Sequence, residues 1–243
     1  MRLWGFGLLI LLIGCVAIEP KMSDFTAKEI ETSHFSIAVW EKNSIQPGKT
    51  LRIYFEGDGD PNPYAQVARE YAEFDKTSNV IYVARPCQWV HNKICEKKPE
   101  IYGNQRFNPE IMKEMVELTE YLMMKYNAPE VELIGYDGGA VVALNVATKV
   151  PTKRVITIAG ITDIAMYLDY NDLPSMEEMD NPAEELLILS QIPQIHYVGG
   201  QDNVTPKRLA ERFVGRMVDP KSAVVKFVPS ATHTNWRGIQ LDY

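Results

Sequence analysis

The stretch Glu130-Val131-Glu132-Leu133-Ile134-Gly135-Tyr136-Asp137-Gly138-Gly139-Ala140 decides how this chain folds. It reads as a short apolar strand, a tight glycine turn, and a helix that continues through Val141, Val142, Leu144 and Val146. The segments on either side repeat that alternation of strand and helix.

Downstream, Arg154 to Ala159 reads as a strand, and Asn181-Pro182-Ala183-Glu184 opens a helix with an acid three residues after its cap. Gln194 to Val198 is a strand, Thr205-Pro206 caps a helix reaching Met217, and Ala223 to Val228 is the last strand. Upstream, His34 to Trp40 alternates as a first strand, and Gln46-Pro47-Gly48-Lys49 is a turn. Leu51 to Phe55 is a continuous apolar strand that ends in Glu56-Gly57-Asp58-Gly59. Tyr64 to Phe74 is a helix and Asn79 to Ala84 a buried strand. A long helix then opens at Asn108-Pro109-Glu110, where Asn108 caps and Pro109 takes the first position. Ile111, Met112, Met115, Val116, Leu118 and Leu122 give that helix its apolar face.

Continuous apolar strands separated by helices predict a mostly parallel central sheet with helices on both faces. At 243 residues, 46% hydrophobic and 23% charged, the chain has room for one sizeable core. The expectation is a single α/β domain over 32–243. Residues 15–31 have no sustained apolar period and read as a tether. A formal net charge of −7 argues against nucleic acid, because phosphate binding needs a basic face. The basic run Lys93 to Lys98 contains Glu96, is followed by Glu100, and reads as a solvated loop.

The central stretch resembles the nucleophile elbow of α/β-hydrolases, where a strained turn pushes one side chain out above the sheet. In that family the middle residue is Ser, or less often Cys or Asp; here it is Asp137. The family's order of nucleophile, acid and histidine is also present. Asp202 lies in Val198-Gly199-Gly200-Gln201-Asp202 after the penultimate strand, and His233 in Ala231-Thr232-His233 after the last. The resemblance covers about residues 50 to 236. A narrower likeness is to secreted or lipid-anchored bacterial α/β-hydrolases, through Glu56-Gly57-Asp58-Gly59 and Arg85-Pro86-Cys87-Gln88. It implies an oxyanion hole of backbone N–H groups near Gly57 or Asp58 together with that of Gly138. No cofactor is implied, and the implied partner is a small-molecule substrate or ligand. His34, His91, His196 and Ser230 lack such a context.

Asp137 leaves three readings open. A carboxylate attacking an ester would give a high-energy anhydride, so ordinary esterase chemistry is disfavoured, and Asp137 could instead act as a general base on water. Asp nucleophiles of the superfamily attack sp³ carbon in epoxides and haloalkanes, yet those enzymes carry a large cap. Here the stretch from about Ile161 to Gln194 leaves room only for a short or absent cap, with Tyr167 and Tyr170 in it. In the third reading Asp137 is structural and the protein a silent binding lipoprotein.

The N-terminus, 1–14, reads as a signal peptide, too short to span a bilayer. Leu12-Ile13-Gly14-Cys15 resembles the lipobox of bacterial lipoproteins, which implies an acylated Cys15 and a membrane anchor. Val16 in place of Asp implies the periplasmic face of the outer membrane. With Cys15 lipidated, Cys87 and Cys95 remain, and a disulfide between them is expected to contribute about 2–3 kcal/mol. Metal binding with His91 is the rival there, and it lacks a fourth ligand; no metal site is expected.

Overall fold

A computed structural model describes residues 21–58, 66–90, 105–176 and 178–243. The signal peptide, Cys15, His91 and Cys95 lie outside those residues, so the expectations resting on them are not addressed. Cys87 is disulfide-bonded.

The strands are β1 (Phe25–Glu31), β2 (Ser36–Lys42), β3 (Leu51–Phe55), β4 (Val80–Val83), β5 (Val131–Tyr136), β6 (Thr152–Ile158), β7 (Gln194–Gly199) and β8 (Ala223–Val228). They form an eight-stranded sheet in the order β1-β2-β4-β3-β5-β6-β7-β8. β2 runs antiparallel to both its neighbours, and the strands from β4 through β8 are mutually parallel. The helices are α1 (Val67–Phe74), α2 (Pro109–Lys125), α3 (Gly138–Ala147), α4 (Ile164–Tyr170), α5 (Leu186–Leu189) and α6 (Lys207–Gly215).

Two cores lie on opposite faces of the sheet. Ile53, Phe55 and Leu133 point to one face and pack with α2, α3 and Phe213 of α6. Tyr54, Ile134 and Tyr136 point to the other and meet Val67, Ala68 and Ala72 of α1 and, near the C-terminus, Trp236 and Leu241. The sheet is thus covered on both sides, as continuous apolar strands require.

Two local expectations are corrected. Residues 25–31, expected within the tether, form β1, paired in register from Phe25 with Lys42 to Glu31 with Ser36. Most of β1 is exposed, so the ladder to β2 does most to hold it, with Phe25 buried and Ile30 partly buried against the cores. The segment after Asn181 begins as a 3-10 turn, Pro182–Glu184, and resumes as the short α5. Asn181 spends its side chain on two donors, accepting from Ala183 N–H at 3.3 Å and from Ile164 N–H at 2.9 Å. It thereby fastens α4, which apolar periodicity does not reveal. At the long helix, Asn108 accepts from Ile111 N–H at 2.8 Å and Pro109 stands first, as expected.

Candidate active site

Asp137 sits between β5 and α3 with φ 50° and ψ −120°, where side-chain-bearing residues are rarely found. Its backbone is fixed on both sides. The N–H donates to Ile158 O at 3.1 Å, and the carbonyl accepts from Ala140 and Ile161 N–H, each at 3.1 Å. Such conformations cost about 1–3 kcal/mol and persist only where the surroundings over-determine them.

Two glycines make that possible. A Cβ on Gly139 would lie 2.3 Å from Phe55 O, and one on Gly135 would lie 2.3 Å from Gly139 O. Helix α3 therefore rests directly on the ends of β3 and β5. Gly139→Ala is expected to destabilise the fold by about 3 kcal/mol or more, because backbone must move. Urea unfolding checks this, and an unchanged midpoint would contradict the tight approach.

The Asp137 side chain makes no capping bond to α3. Instead its Oδ1 lies 3.4 Å from Nε2 of His233, whose Nδ1 is 3.0 Å from Oδ2 of Asp202. The loops after β7 and β8 that carry these residues are tied together: Gly200 N–H donates to Val228 O at 2.8 Å and Gln201 N–H to Ala231 O at 2.9 Å. Asp202 is further fixed by Val204 N–H, Thr205 N–H and the Thr205 hydroxyl, at 2.8, 2.9 and 2.8 Å. Trp236 Nε1–H holds the His233 carbonyl at 3.0 Å. Three residues from three distant segments thus converge in one hydrogen-bonded row.

The electrostatics of that row are unlike those of a serine triad. Burial disfavours the charged form of His233, but its hydrogen bonds to Asp137 and Asp202 and their negative charges outweigh it, raising the imidazole to about 10. At neutral pH His233 is an imidazolium between two carboxylates and has no free nitrogen to accept a proton. Asp202 is opposed by burial, yet the His233 bond and charge and the Thr205 donors hold its carboxyl below the ordinary value.

The expected oxyanion turn is built differently from a row of free amides. The Gly57 N–H is taken by Oε1 of Glu56 at 3.0 Å. Glu56 is buried, also accepts from the Tyr82 hydroxyl at 3.1 Å and Arg69 N–H at 3.3 Å, and is raised by burial to about 7 against those donors. What reaches Gly138 is the side chain of Asp58, whose Oδ1 lies 1.3 Å from where a Cβ on Gly138 would stand. That explains the glycine there. Arg106 Nε pairs with Asp58 Oδ2 at 2.6 Å. Burial first, and then the Asp137 charge, raise Asp58 to about 6 despite Arg85 and Arg106. Arg85 is buried and donates to Gly138 O at 3.1 Å and to Arg106 O at 2.5 Å, bracing the turn.

The structure therefore brings Asp137, Asp202, His233, Gly57, Asp58 and Gly138 to one place, with the Gly57 amide engaged by Glu56. Sequence reasoning missed the side chains of Glu56, Asp58, Arg85 and Arg106. The quoted Glu56-Gly57-Asp58 and Arg85-Pro86 runs were the available signal for three of them, and nothing marked Arg106. Of the two tyrosines between β6 and β7, Tyr167 is within electrostatic reach of Asp137 and Asp58; burial and those charges raise its phenol to about 12. Tyr170 instead lies under the Arg208 guanidinium, 4.2 Å from its ring centroid. His196 is fully buried, its Nδ1 2.9 Å from the Thr157 hydroxyl, and His34 pairs with Glu114 at 2.8 Å. Among the described residues no cluster of three or more His, Cys, Asp or Glu could hold a metal ion.

Solved structures with this architecture are numerous. Est1E from Butyrivibrio proteoclasticus is 11% identical, with 86% of this chain and 90% of that chain covered and a TM-score of 0.57. An esterase of Pyrococcus furiosus is 14% identical over 86% and 83%, with a TM-score of 0.61. An alpha-beta serine hydrolase homologue from Coxiella burnetii is 16% identical over 86% and 89%, with a TM-score of 0.55. The fold is that of the α/β-hydrolases. At these identities the likeness extends to the fold alone. No protein-family model matches the sequence, and no curated protein matches it. Within the α/β-hydrolase fold, Asp137 occupies the turn between the fifth strand and the following helix. Asp202 and His233 follow the seventh and eighth strands, and among the described residues α4, a 3-10 turn and α5 stand between β6 and β7.

Proposed function

We propose that this chain is a hydrolase in which the Asp137 carboxylate is the nucleophile and the electrophile is an sp³ carbon, as in an epoxide or haloalkane. The observation that carries this reading is the strained elbow. It presents a carboxylate that caps nothing and lies 3.4 Å from His233, itself oriented by Asp202. A purely structural residue at φ 50° would be served at lower cost by glycine.

The chemistry follows the charges. An Asp137 oxygen attacks carbon, the carbon–leaving-group bond breaks with its electron pair, and an alkyl ester of Asp137 forms. Esterification removes one of the two negative charges that hold His233 protonated. Its pKa falls, it gives its proton to the alkoxide of an opened epoxide, or to solvent when a halide has left, and Nε2 becomes able to take one from water. The hydroxide so formed adds to the ester carbonyl carbon, the alcohol departs, and Asp137 is regenerated. Acyl transfer is disfavoured at the outset, because the resting imidazolium cannot act as a base.

The test is mass mapping of the Asp137 peptide after incubation with styrene oxide or 1-bromobutane. An added mass on Asp137 is the expected result. No adduct under any condition would leave the second reading, a binding protein without turnover. That reading is favoured by the Gly57 amide being occupied by Glu56.

We also place the protein at the cell envelope, held by lipid on Cys15, on the strength of the Leu12-Ile13-Gly14-Cys15 run. Cys15→Ser is expected to move it from the membrane to the soluble fraction and to block processing. Unchanged partitioning would remove the anchor.

A further inference from the structure

The two edges of the sheet are built differently. From that difference we infer that β8 is a dimerisation edge, pairing antiparallel with β8 of a second copy of this chain about a two-fold axis at Val225.

β1 and β8 are the outer strands. β1 carries Lys28, Glu29 and Glu31, charges of the kind that keep an edge from pairing. β8 reads Ala223-Val224-Val225-Lys226-Phe227-Val228, with Val224 49% and Phe227 52% exposed. Its one charge is engaged within the chain, since Lys226 pairs with Asp242. The apolar surface continues before the strand. Val218 is 73% exposed, and its N–H bonds the Ser190 hydroxyl at 3.0 Å. Ser190 ends α5, whose Leu187 is 67% exposed. An open row of backbone groups beside exposed apolar side chains is a template for another strand.

Backbone parity and charge select the occupant. Gly200 N–H donates to Val228 O at 2.8 Å. Val224, Lys226 and Val228 therefore turn their backbone groups to β7, and Ala223, Val225 and Phe227 turn theirs outward. A two-fold axis perpendicular to the sheet keeps each face continuous, so odd-numbered residues meet odd-numbered ones. With the axis at Val225, Ala223 faces the partner's Phe227, Val225 faces the partner's Val225, and Phe227 faces the partner's Ala223. That gives about six backbone bonds. On the α6 face, where Lys207 Nζ lies 5.4 Å from the Phe227 ring centroid, each large Phe227 stands beside a small Ala223. On the other face Lys226 stands opposite the partner's Val224, its ammonium still with Asp242 of its own chain. Moving the axis to Lys226 would set two lysines directly opposite each other, which is destabilising. It would also leave about four bonds, because Pro229 follows the strand. Pairing β8 with the partner's β1 would set Lys28 and two glutamates along an apolar strand and build an open row of copies. β8 on β8 closes as a dimer. A six-residue edge is a small interface beside the ~1,000 Å² of a lasting one, so the dimer is reversible and forms over about 10–300 μM protein.

The experiment is sedimentation equilibrium of the purified protein across that range, where a monomer–dimer equilibrium is expected. Val225→Lys and Val225→Glu each bring like charges together at the axis and are expected to remain monomeric. Mixed in equal amounts they are expected to recover a dimer, because the axis then joins opposite charges. Val225→Cys is expected to form an intermolecular disulfide on mild oxidation, since the paired Cα atoms stand about 5.5 Å apart. Val224→Cys, which faces Lys226 and not itself, is expected to cross-link about 10-fold less. Circular dichroism checks each fold, and if a charge variant is unfolded the near-isosteric cysteine variants decide. A parent that stays monomeric throughout, folded charge variants that still dimerise alone or fail to recover a dimer when mixed, or equal cross-linking of the two cysteine variants overturns the inference.

Discussion

In His233→Gln the alkyl ester on Asp137 will accumulate to one equivalent and stay there. Attack by Asp137 on carbon needs no base, because a carboxylate nucleophile has no proton to lose. Cleavage of the ester does need one. Glutamine can occupy the space of the imidazole but cannot take a proton from water, and loss of a general base typically costs about 10²–10⁴-fold in rate. Hydrolysis is thus expected to fall by about 10³-fold while adduct formation continues. Intact-mass spectra after exposure to styrene oxide check this: a transient adduct in the parent, a persistent one in the variant. A parent that consumes styrene oxide beside a variant showing no adduct would place the nucleophile elsewhere.

The second large effect is expected in Asp137→Ser. His233 stands at about 10 because two carboxylates flank it, and removing one of them is expected to lower it by about 1–3 pH units. Imidazole NMR signals read this without any substrate. With a neutral fraction available near pH 8, His233 can take the serine proton, and the acyl-enzyme is an ordinary ester that water can cleave. Activity on p-nitrophenyl acetate is expected to rise about 100-fold over the parent, and His233→Ala in that background to remove the gain. The stability of the parent carries the same sign. The raised His233 contributes stabilisation fully present below its unfolded value, about 6.5, and lost as pH climbs through about 10. Asp137→Ser is expected to flatten that alkaline loss in urea unfolding. A parent that cleaves esters well and loses that activity on Asp137→Ser would contradict the whole electrostatic picture.

The central strand Leu51–Phe55 was legible in the sequence because burial on both faces leaves a continuous apolar run, and the edge strand Ala223–Val228, only partly buried, also falls where its β-branched residues place it. The other edge strand, Phe25–Glu31, was not legible, since a half-solvated edge alternates weakly and is held by backbone bonds that any sequence can make. Helix α4 escaped although Asp163 caps it locally, accepting from Met166 N–H at 3.2 Å; its start is fastened as well by Asn181, seventeen residues downstream, which no local pattern encodes. At the site, Asp137, Asp202 and His233 were readable because each follows a recognisable strand. The oxyanion turn was readable only as backbone. That Glu56 would bend back onto the Gly57 amide and Asp58 would cover Gly138 depends on which side-chain oxygen wins a donor in a buried space. The order of residues is silent on that competition. Arg106, which decides the Asp58 contact, lies 48 positions away in a run with no motif.

A single turnover of styrene oxide in H₂¹⁸O, with the parent protein in excess, tests the nucleophile directly. With Asp137 attacking carbon, the first diol released carries oxygen from the carboxylate, and the heavy isotope from water appears in Asp137. Heavy oxygen in the first-turnover diol, with none in Asp137, would show water attacking carbon directly and reduce Asp137 to a base.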